Sequence, residues 1–273
     1  MPGQGWTLDD IPWERFDPAK VDPEILKVIK AASMVEANGG DYATYLCNVF
    51  PDDAEFQRAA RDWAEEEVQH GRVLARWAAL ADSGFDFEAS FRRFTAGYRL
   101  PLDAKSSVRG SRSGELVARC IVEVGTSSYY TALLEAAEEP VLREICRRIA
   151  ADELRHYKLF YTHLKRYLER ERIGKWRRLM VALGRMGESE DDELAYAYYA
   201  ANGGNEPYDR RRWARAYLGR AYSYYRHHHI ERVVAMILKA AGLKTRGHLA
   251  RWSARFGYWL IRTRSRHALA AEA

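Results

Sequence analysis

The stretch IAADELRH, from Ile149 to His156, puts two acids, an arginine and a histidine beside an apolar run. On a solvated helix these are surface charges; on an inward face, a carboxylate and an imidazole stand where bare charge is costly. Stepping by four and three residues, the spacing of one helical face, collects Cys146, Ile149, Glu153, His156, Phe160, His163 and Tyr167. Glu153, His156 and His163 are the polar members of an otherwise apolar face, so the Glu153/His156 pair is predicted to point into a core. WAEEEVQHG, from Trp63 to Gly71, repeats the pattern: its face reads Phe56, Ala60, Trp63, Glu67, His70, Leu74 and Trp77. A Glu and a His three residues apart lie one turn from each other, so each pair can ligate one metal ion.

Two other segments supply one acid each. The face Ile25, Ile29, Ala32, Glu36, Gly39, Ala43, Leu46 and Phe50 carries Glu36, and the face Leu116, Cys120, Glu123, Ser127, Tyr130 and Leu134 carries Glu123. A lone buried glutamate needs a partner. The spacing supports a repeat: Glu36 precedes Glu67 by 31 residues and Glu123 precedes Glu153 by 30, and each leading glutamate is followed by Tyr at +6 and Leu at +10. Glu36, Glu67, His70, Glu123, Glu153 and His156 together form the di-metal carboxylate set of a ferritin-like bundle. Four carboxylates balance two divalent cations. Oxygen and imidazole donors without thiolate suit iron first, with a mixed Mn/Fe pair as the variant. Asp152 and Glu66, each next to a ligand glutamate, are placed to hydrogen-bond imidazoles of the opposing helix, and Arg155 is placed to pair with one of them.

The helical pattern runs from Pro23 to Phe50, from Asp52 or Asp53 to about Ala81, from Gly114 to Ala137 and from Pro140 to Glu171, with a turn-rich connection over 82–113. This predicts an all-α, four-helix bundle with a long crossover between helices 2 and 3, over residues 23–171. Residues 1–22 are predicted to form an arm packed on the bundle through Trp6, Trp13 and Phe16. Residues 172–273 form a basic helical extension with breaks near Gly187 and at NGGNEP, Asn202 to Pro207.

These motifs resemble those of the soluble acyl-carrier-protein desaturases. IAADELRH is similar to the second metal motif of that family, and WAEEEVQHG to the first, at Trp63, Glu66, Glu67, His70 and Gly71; EVGT, from Glu123 to Thr126, matches the family's Glu followed by Thr at +3. The likeness spans roughly residues 30 to 170. It implies a non-haem di-iron oxidase that activates O2 to desaturate or hydroxylate a fatty-acyl or other hydrophobic substrate, with Thr126 assisting O2 activation. It further implies an acidic carrier protein as substrate bearer, an electron donor such as a ferredoxin, and a homodimer. The alternative is a ferritin- or rubrerythrin-like protein that oxidises iron or scavenges peroxide. About 100 residues beyond the fourth helix exceed a minimal cage subunit, and rubredoxin-type Cys pairs are absent. Gly39, Gly40, Ala43 and the run Gly125, Thr126, Ser127, Ser128 either leave room beside the metals or let the helices pack closely.

Residues 1–159 hold 20 Lys plus Arg against 27 Asp plus Glu, and residues 160–273 hold 23 against 11, so the net +5 conceals a basic C-terminal part. That charge suits an anionic partner or a solvated helix surface, and no nucleic-acid motif accompanies it. With no long apolar run and no basic-then-apolar leader, a cytoplasmic protein without a membrane span is expected. The successive residues His227, His228 and His229 are about 100° apart on a helix and cannot all share a face; one buried and two exposed is expected. WSARFGYWLIR, Trp252 to Arg262, reads as an amphipathic basic helix docked on the bundle, with a lipid surface as the alternative.

Overall fold

The structure, a computed structural model, describes residues 5–188, 192–204 and 206–271. Residues 1–4 of the arm, residues 189–191 and 272–273 of the extension and Asn205 of the NGGNEP break lie outside these. Among the described residues all regular structure is helical: α1 (Pro23–Ala37), α2 (Gly39–Val49), α3 (Ala54–Ala81), α4 (Phe87–Gly97), α5 (Arg112–Ala136), α6 (Pro140–Glu171), α7 (Lys175–Glu188), α8 (Asp192–Asn202), α9 (Arg210–Ser223), α10 (His227–Ala241) and α11 (His248–Ala270). No helix among them is long and apolar enough to cross a membrane.

Acidic caps start α1 and α3. The Asp22 carboxylate accepts from the N–H groups of Glu24 (2.7 Å) and Ile25 (3.2 Å) to start α1, and Asp53 accepts from Phe56 N–H (3.0 Å) to start α3. The expectation of one helix from Pro23 to Phe50 is corrected. Asn38 leaves helical geometry (φ −82°, ψ 9°), its carbonyl accepts from Asp41 N–H (3.1 Å), and the chain restarts as α2. Gly39 seats this restart, because a Cβ there would fall 2.7 Å from Glu67 Cβ. The inward face carries across the break: Glu36, Gly39, Ala43, Leu46 and Phe50 are all buried.

The connection over 82–113 is also corrected, since it contains α4 and α5 begins at Arg112. Asp86 caps α4 through Ala89 N–H (2.9 Å), and Phe87, Phe91, Phe94 and Tyr98 stack along one side at centroid distances of 5.6, 6.3 and 5.8 Å. Helices α1 and α2 lie on α3, α5 lies on α6, and α3 meets α6. At Gly71 the backbones of α3 and α1 touch; a Cβ there would stand 2.5 Å from the Ala37 nitrogen.

Two apolar clusters fill the interior. One joins Ile29, Met34, Trp77, Leu133 and Ile149; the other joins Leu46, Phe50, Phe56, Leu116 and Phe160. The segments that carry the six predicted ligands lie between them in chain position on every helix. The extension covers one side: α8 and α9 pack on α1, and α7 and α10 pack on α5. Helix α11 docks on α9 and α10 through Ala250, Ala254, Ser265 and Ala268. The helix that carries WSARFGYWLIR is docked, but through its small residues, and its Trp252, Phe256 and Trp259 are exposed.

Glu139 ties the arm to both hairpins. It caps α6 at Val141 and Leu142 N–H (3.2 and 2.7 Å), accepts from the buried Trp77 Nε1–H (2.7 Å) and receives Asp17 N–H (3.2 Å). Glu139→Ala is expected to lower unfolding stability by about 2 to 4 kcal/mol, through a lost cap and an orphaned buried donor. Urea denaturation checks this, with the exposed Glu138→Ala expected to stay near the parent protein.

Candidate metal centre

The inward faces of α1, α3, α5 and α6 bring all six predicted ligands together. Ligand atoms of Glu36, Glu67, His70 and Glu153 lie within 4.8 Å of one another, as do those of Glu67, Glu123, Glu153 and His156. Glu67 and Glu153 therefore belong to both groups, while Glu36 and Glu123 each serve one. All six residues are buried.

Each histidine is gripped from behind by a carboxylate. His70 Nε2 lies 3.1 Å from Asp152 Oδ2, and His156 Nε2 lies 2.8 Å from Glu66 Oε2. These acceptors place each ring proton on Nε2, so each Nδ1 lone pair turns to the cluster. There His70 Nδ1 stands 3.2 Å from Glu153 Oε1, and His156 Nδ1 stands 2.9 Å from Glu67 Oε1. Arg155 bonds to both backing acids, at 2.5 Å to Asp152 and 3.1 Å to Glu66, a bridge between the two hairpins. Trp63 meets His156 edge-on at 6.4 Å. Thr126 Oγ1 donates to Glu153 Oε2 (2.7 Å) one turn after Glu123.

The charges conflict without a cation. Burial, then the neighbouring Glu153 and Glu36 charges, hold the Glu67 carboxyl well above the usual carboxylate range, and burial pushes Glu123 up to about 8. Burial opposes charging of His70 and His156, yet the surrounding carboxylates outweigh it and raise both. Burial likewise opposes ionised Glu153, but the two imidazoles that face it outweigh burial and lower that carboxyl. The metal-free cluster thus holds protons where cations would sit.

The donor atoms provide the fit test. Glu67 Oε1, His70 Nδ1, Glu123 Oε1, Glu153 Oε1 and His156 Nδ1 are buried and face one another without a well-aligned hydrogen bond, the nearest approaches being His156 Nδ1 to Glu67 Oε1 (2.9 Å) and His70 Nδ1 to Glu153 Oε1 (3.2 Å). Five converging, poorly aligned donor atoms in one locus fit a cation site better than a structural salt-bridge network. Carboxylate and imidazole donors with no thiolate fit a pair of iron or manganese ions.

Five residues that sequence reasoning did not place at the site belong to it. Trp6 Nε1 donates to Asp152 (2.7 Å) and stacks 6.0 Å from His70, and Gln69 Nε2 donates to the Trp6 carbonyl (2.7 Å), so the arm closes the imidazole side. Tyr130 donates to Glu36 (2.6 Å), and Glu193 accepts from Tyr42. Tyr130 lies on the inward face that carries Glu123; Glu193 carried no signal, being far along the extension. Burial holds the Glu193 carboxyl above its ordinary range.

On the opposite side the cluster opens into a cavity of about 510 Å³. Glu36, Glu67, Glu123, Glu153 and Thr126 form its inner end; Val35, Ile121, Leu218, Ile237 and Leu260 are among its apolar walls. The histidines do not line it. Gly125 borders the space and Gly39 both borders it and packs on α3, while Ser127 donates to the Ala150 carbonyl (2.9 Å), so the small residues divide between room and close packing.

Of the histidine run, His229 is buried, His228 exposed and His227 partly exposed. His228 and His229 both approach Glu135, at 2.9 and 3.3 Å. His229 Nδ1 accepts from Arg226 N–H (3.0 Å), which leaves the ring proton on Nε2 facing Glu135. That tautomer offers the carboxylate a donor and a cation no lone pair, so this grouping anchors α10 to α5.

Comparison with protein-family models finds no match, and comparison with curated proteins finds no relative. The shared ligands set an expected stoichiometry. Glu153→Ala and Glu67→Ala, each removing a ligand from both groups, are expected to abolish binding of two metal ions, whereas Glu36→Ala is expected to weaken one position and leave about half the metal. Elemental analysis of the purified variants, with helicity verified by circular dichroism, checks this.

Proposed function

We propose that the chain is a ferritin-like di-iron oxidase that uses O2 to desaturate or hydroxylate a fatty-acyl or other hydrophobic substrate. The reading treats the two hairpins and the 82–111 connection as a ferritin-like bundle with a crossover. The observation that carries it is the cavity: an apolar space of about 510 Å³ ends on four metal-ligand carboxylates and Thr126. That volume suits a small organic ligand. An iron-storage or iron-transfer site has no use for such walls, since a hydrated cation moves along polar side chains.

A bound iron pair would be held by Glu36, Glu67, His70, Glu123, Glu153 and His156, and would supply O2 reduction and the abstraction of hydrogen from an unactivated carbon. Either outcome consumes one O2 with two electrons and two protons from an external donor such as a ferredoxin. Desaturation removes two hydrogens from the substrate and releases two waters; hydroxylation inserts one oxygen and releases one water.

The chain's own contributions follow from the geometry. The apolar walls exclude water, so a reactive centre is spent on the substrate and not on solvent. Asp152, Glu66 and Arg155 fix the imidazoles, and Trp6 closes the side away from the cavity. Thr126 orients Glu153 from the cavity wall, where its hydroxyl can also pass a hydrogen bond to whatever enters. The polar group formed by Tyr42 and Glu193 lies on the same wall, beyond the carboxylates, and suits a polar group on the substrate.

Anaerobic loading with Fe²⁺ followed by O2, with acyl-carrier protein thioesters and lipid extract as substrates, is the test. Mass spectrometry is expected to show either loss of two hydrogens or gain of one oxygen. Uptake of iron far above two per chain, with no modified substrate, would sink the reading in favour of iron handling. Thr126→Val is expected to retain two irons but to slow or uncouple the O2 reaction about 10-fold or more, followed by stopped-flow absorbance.

A further inference from the structure

Helix α11 is apolar on two nearly opposite faces, counting about 100° per residue. Ala250, Ala254, Ser265 and Ala268 face the protein. Leu249, Trp252, Phe256 and Trp259 face outward, with Trp252 67% and Phe256 61% exposed. Helix α7 does the same: Ala182 is buried against α10, while Trp176 (76% exposed), Met180 and Leu183 form an outward stripe at i, i+4 and i+7. A soluble surface rarely gathers so many large apolar side chains without a partner.

The charge around these stripes has one sign. No Asp or Glu occurs between Glu231 and Glu272, a span with nine Lys and Arg, and none between Glu171 and Glu188, where Lys175, Arg177, Arg178 and Arg185 lie. On α11, Arg251, Arg255, Arg262 and Arg266 follow the edge of the aromatic stripe. Long basic side chains beside Trp and Phe match the headgroup zone of a bilayer, where the rings enter the acyl boundary and the cations meet phosphate.

These helices also border the cavity. Gly257, Leu260, Ile261 and Arg264 of α11 and Arg185, Met186 and Gly187 of α7 line it, and the lining residues classed as exposed are Met186, Gly187 and Arg264. The mouth of the cavity therefore lies between the two helices that carry the outward aromatics.

The geometry points to the outer faces of α7 and α11 as a docking surface for an anionic membrane, lying in the headgroup plane and not crossing it. A second copy of the chain fits the face poorly, because it would set a wholly basic surface against itself. An acidic protein would meet the cations but leave the row of Trp and Phe side chains to be matched by an apolar groove. Docking stands without the oxidase reading; entry of an acyl substrate from the lipid through Met186 and Arg264 rests on it.

The test uses the full chain, metal-free and iron-loaded, with vesicles of phosphatidylglycerol and phosphatidylcholine or phosphatidylcholine alone. Expected are co-sedimentation with the anionic vesicles in both metal states, weakening with salt, and quenching of Trp emission by brominated acyl chains. The exposed triple variant Trp252→Ser, Phe256→Ser, Trp259→Ser is expected to lose about tenfold or more of the partitioning with an unchanged melting curve. Equal, weak partitioning to both vesicle types, or a triple variant that binds like the parent, overturns the proposal. So does a dimer in sedimentation velocity that the triple variant dissolves, or saturable binding of an acidic carrier protein to this face without vesicle binding. Because metal-free protein is scored alongside, a failed docking result is separate from a failed metal centre.

Discussion

Everything in this protein is arranged around one expensive layer: four carboxylates and two imidazoles buried between two apolar clusters. Burying like charges at this density costs far more than the marginal stability of a domain unless opposite charge enters or protons are bound. The structure meets part of that cost from outside the layer. Asp152 and Glu66 take the imidazole protons, Arg155 bridges those two acids across the hairpins, and Trp6 brings the arm over Asp152. Five buried donor atoms still lack a well-aligned hydrogen bond, as the lining of a cation site would.

The layer is asymmetric, and that asymmetry links fold to chemistry. Its imidazole side is braced and closed, its carboxylate side faces the cavity. A closed back fixes the orientation of the imidazoles, and an open front leaves room for a small molecule beside the carboxylates. The extension makes this front possible. Helices α8, α9 and α10 roof the space beside α1 and α5 with largely apolar side chains and turn it into a partly enclosed cavity. Among the described residues, the exposed lining positions mark a rim beside the basic, aromatic outer surface of α7 and α11.

Much of the site was legible because helical periodicity is a strict code. Once the Glu-x-x-His pairs fell on apolar faces, Glu36 and Glu123 followed from the 31- and 30-residue spacing, and all six residues converge in the structure. Periodicity fails where the chain changes axis without changing phase. The break at Asn38 was invisible for this reason: Glu36, Gly39 and Ala43 keep the four-three step across it. Helix α4 was missed because Pro, Gly and Ser on either side outweighed its Asp86 cap and its Phe spacing. Contacts from distant sequence, such as Trp6 on Asp152 or Tyr42 on Glu193, have no local signal at all.

The sequence by itself determined the all-helical class, the inward faces and the six residues of the buried cluster, because side-chain direction on a helix depends on position modulo one turn. It also determined the sign of the extension's charge. Only the tertiary structure decided which glutamates are shared between the two groups, which ring nitrogen faces the carboxylate cluster, that the arm closes one side and that an apolar cavity opens on the other. It also decided that the aromatics of α11 point away from the protein. These are properties of how helix faces are paired in space, and α11 shows why sequence could not supply them. Its small-residue face and its aromatic face are both apolar, and only the contact with α9 and α10 selects which one is buried.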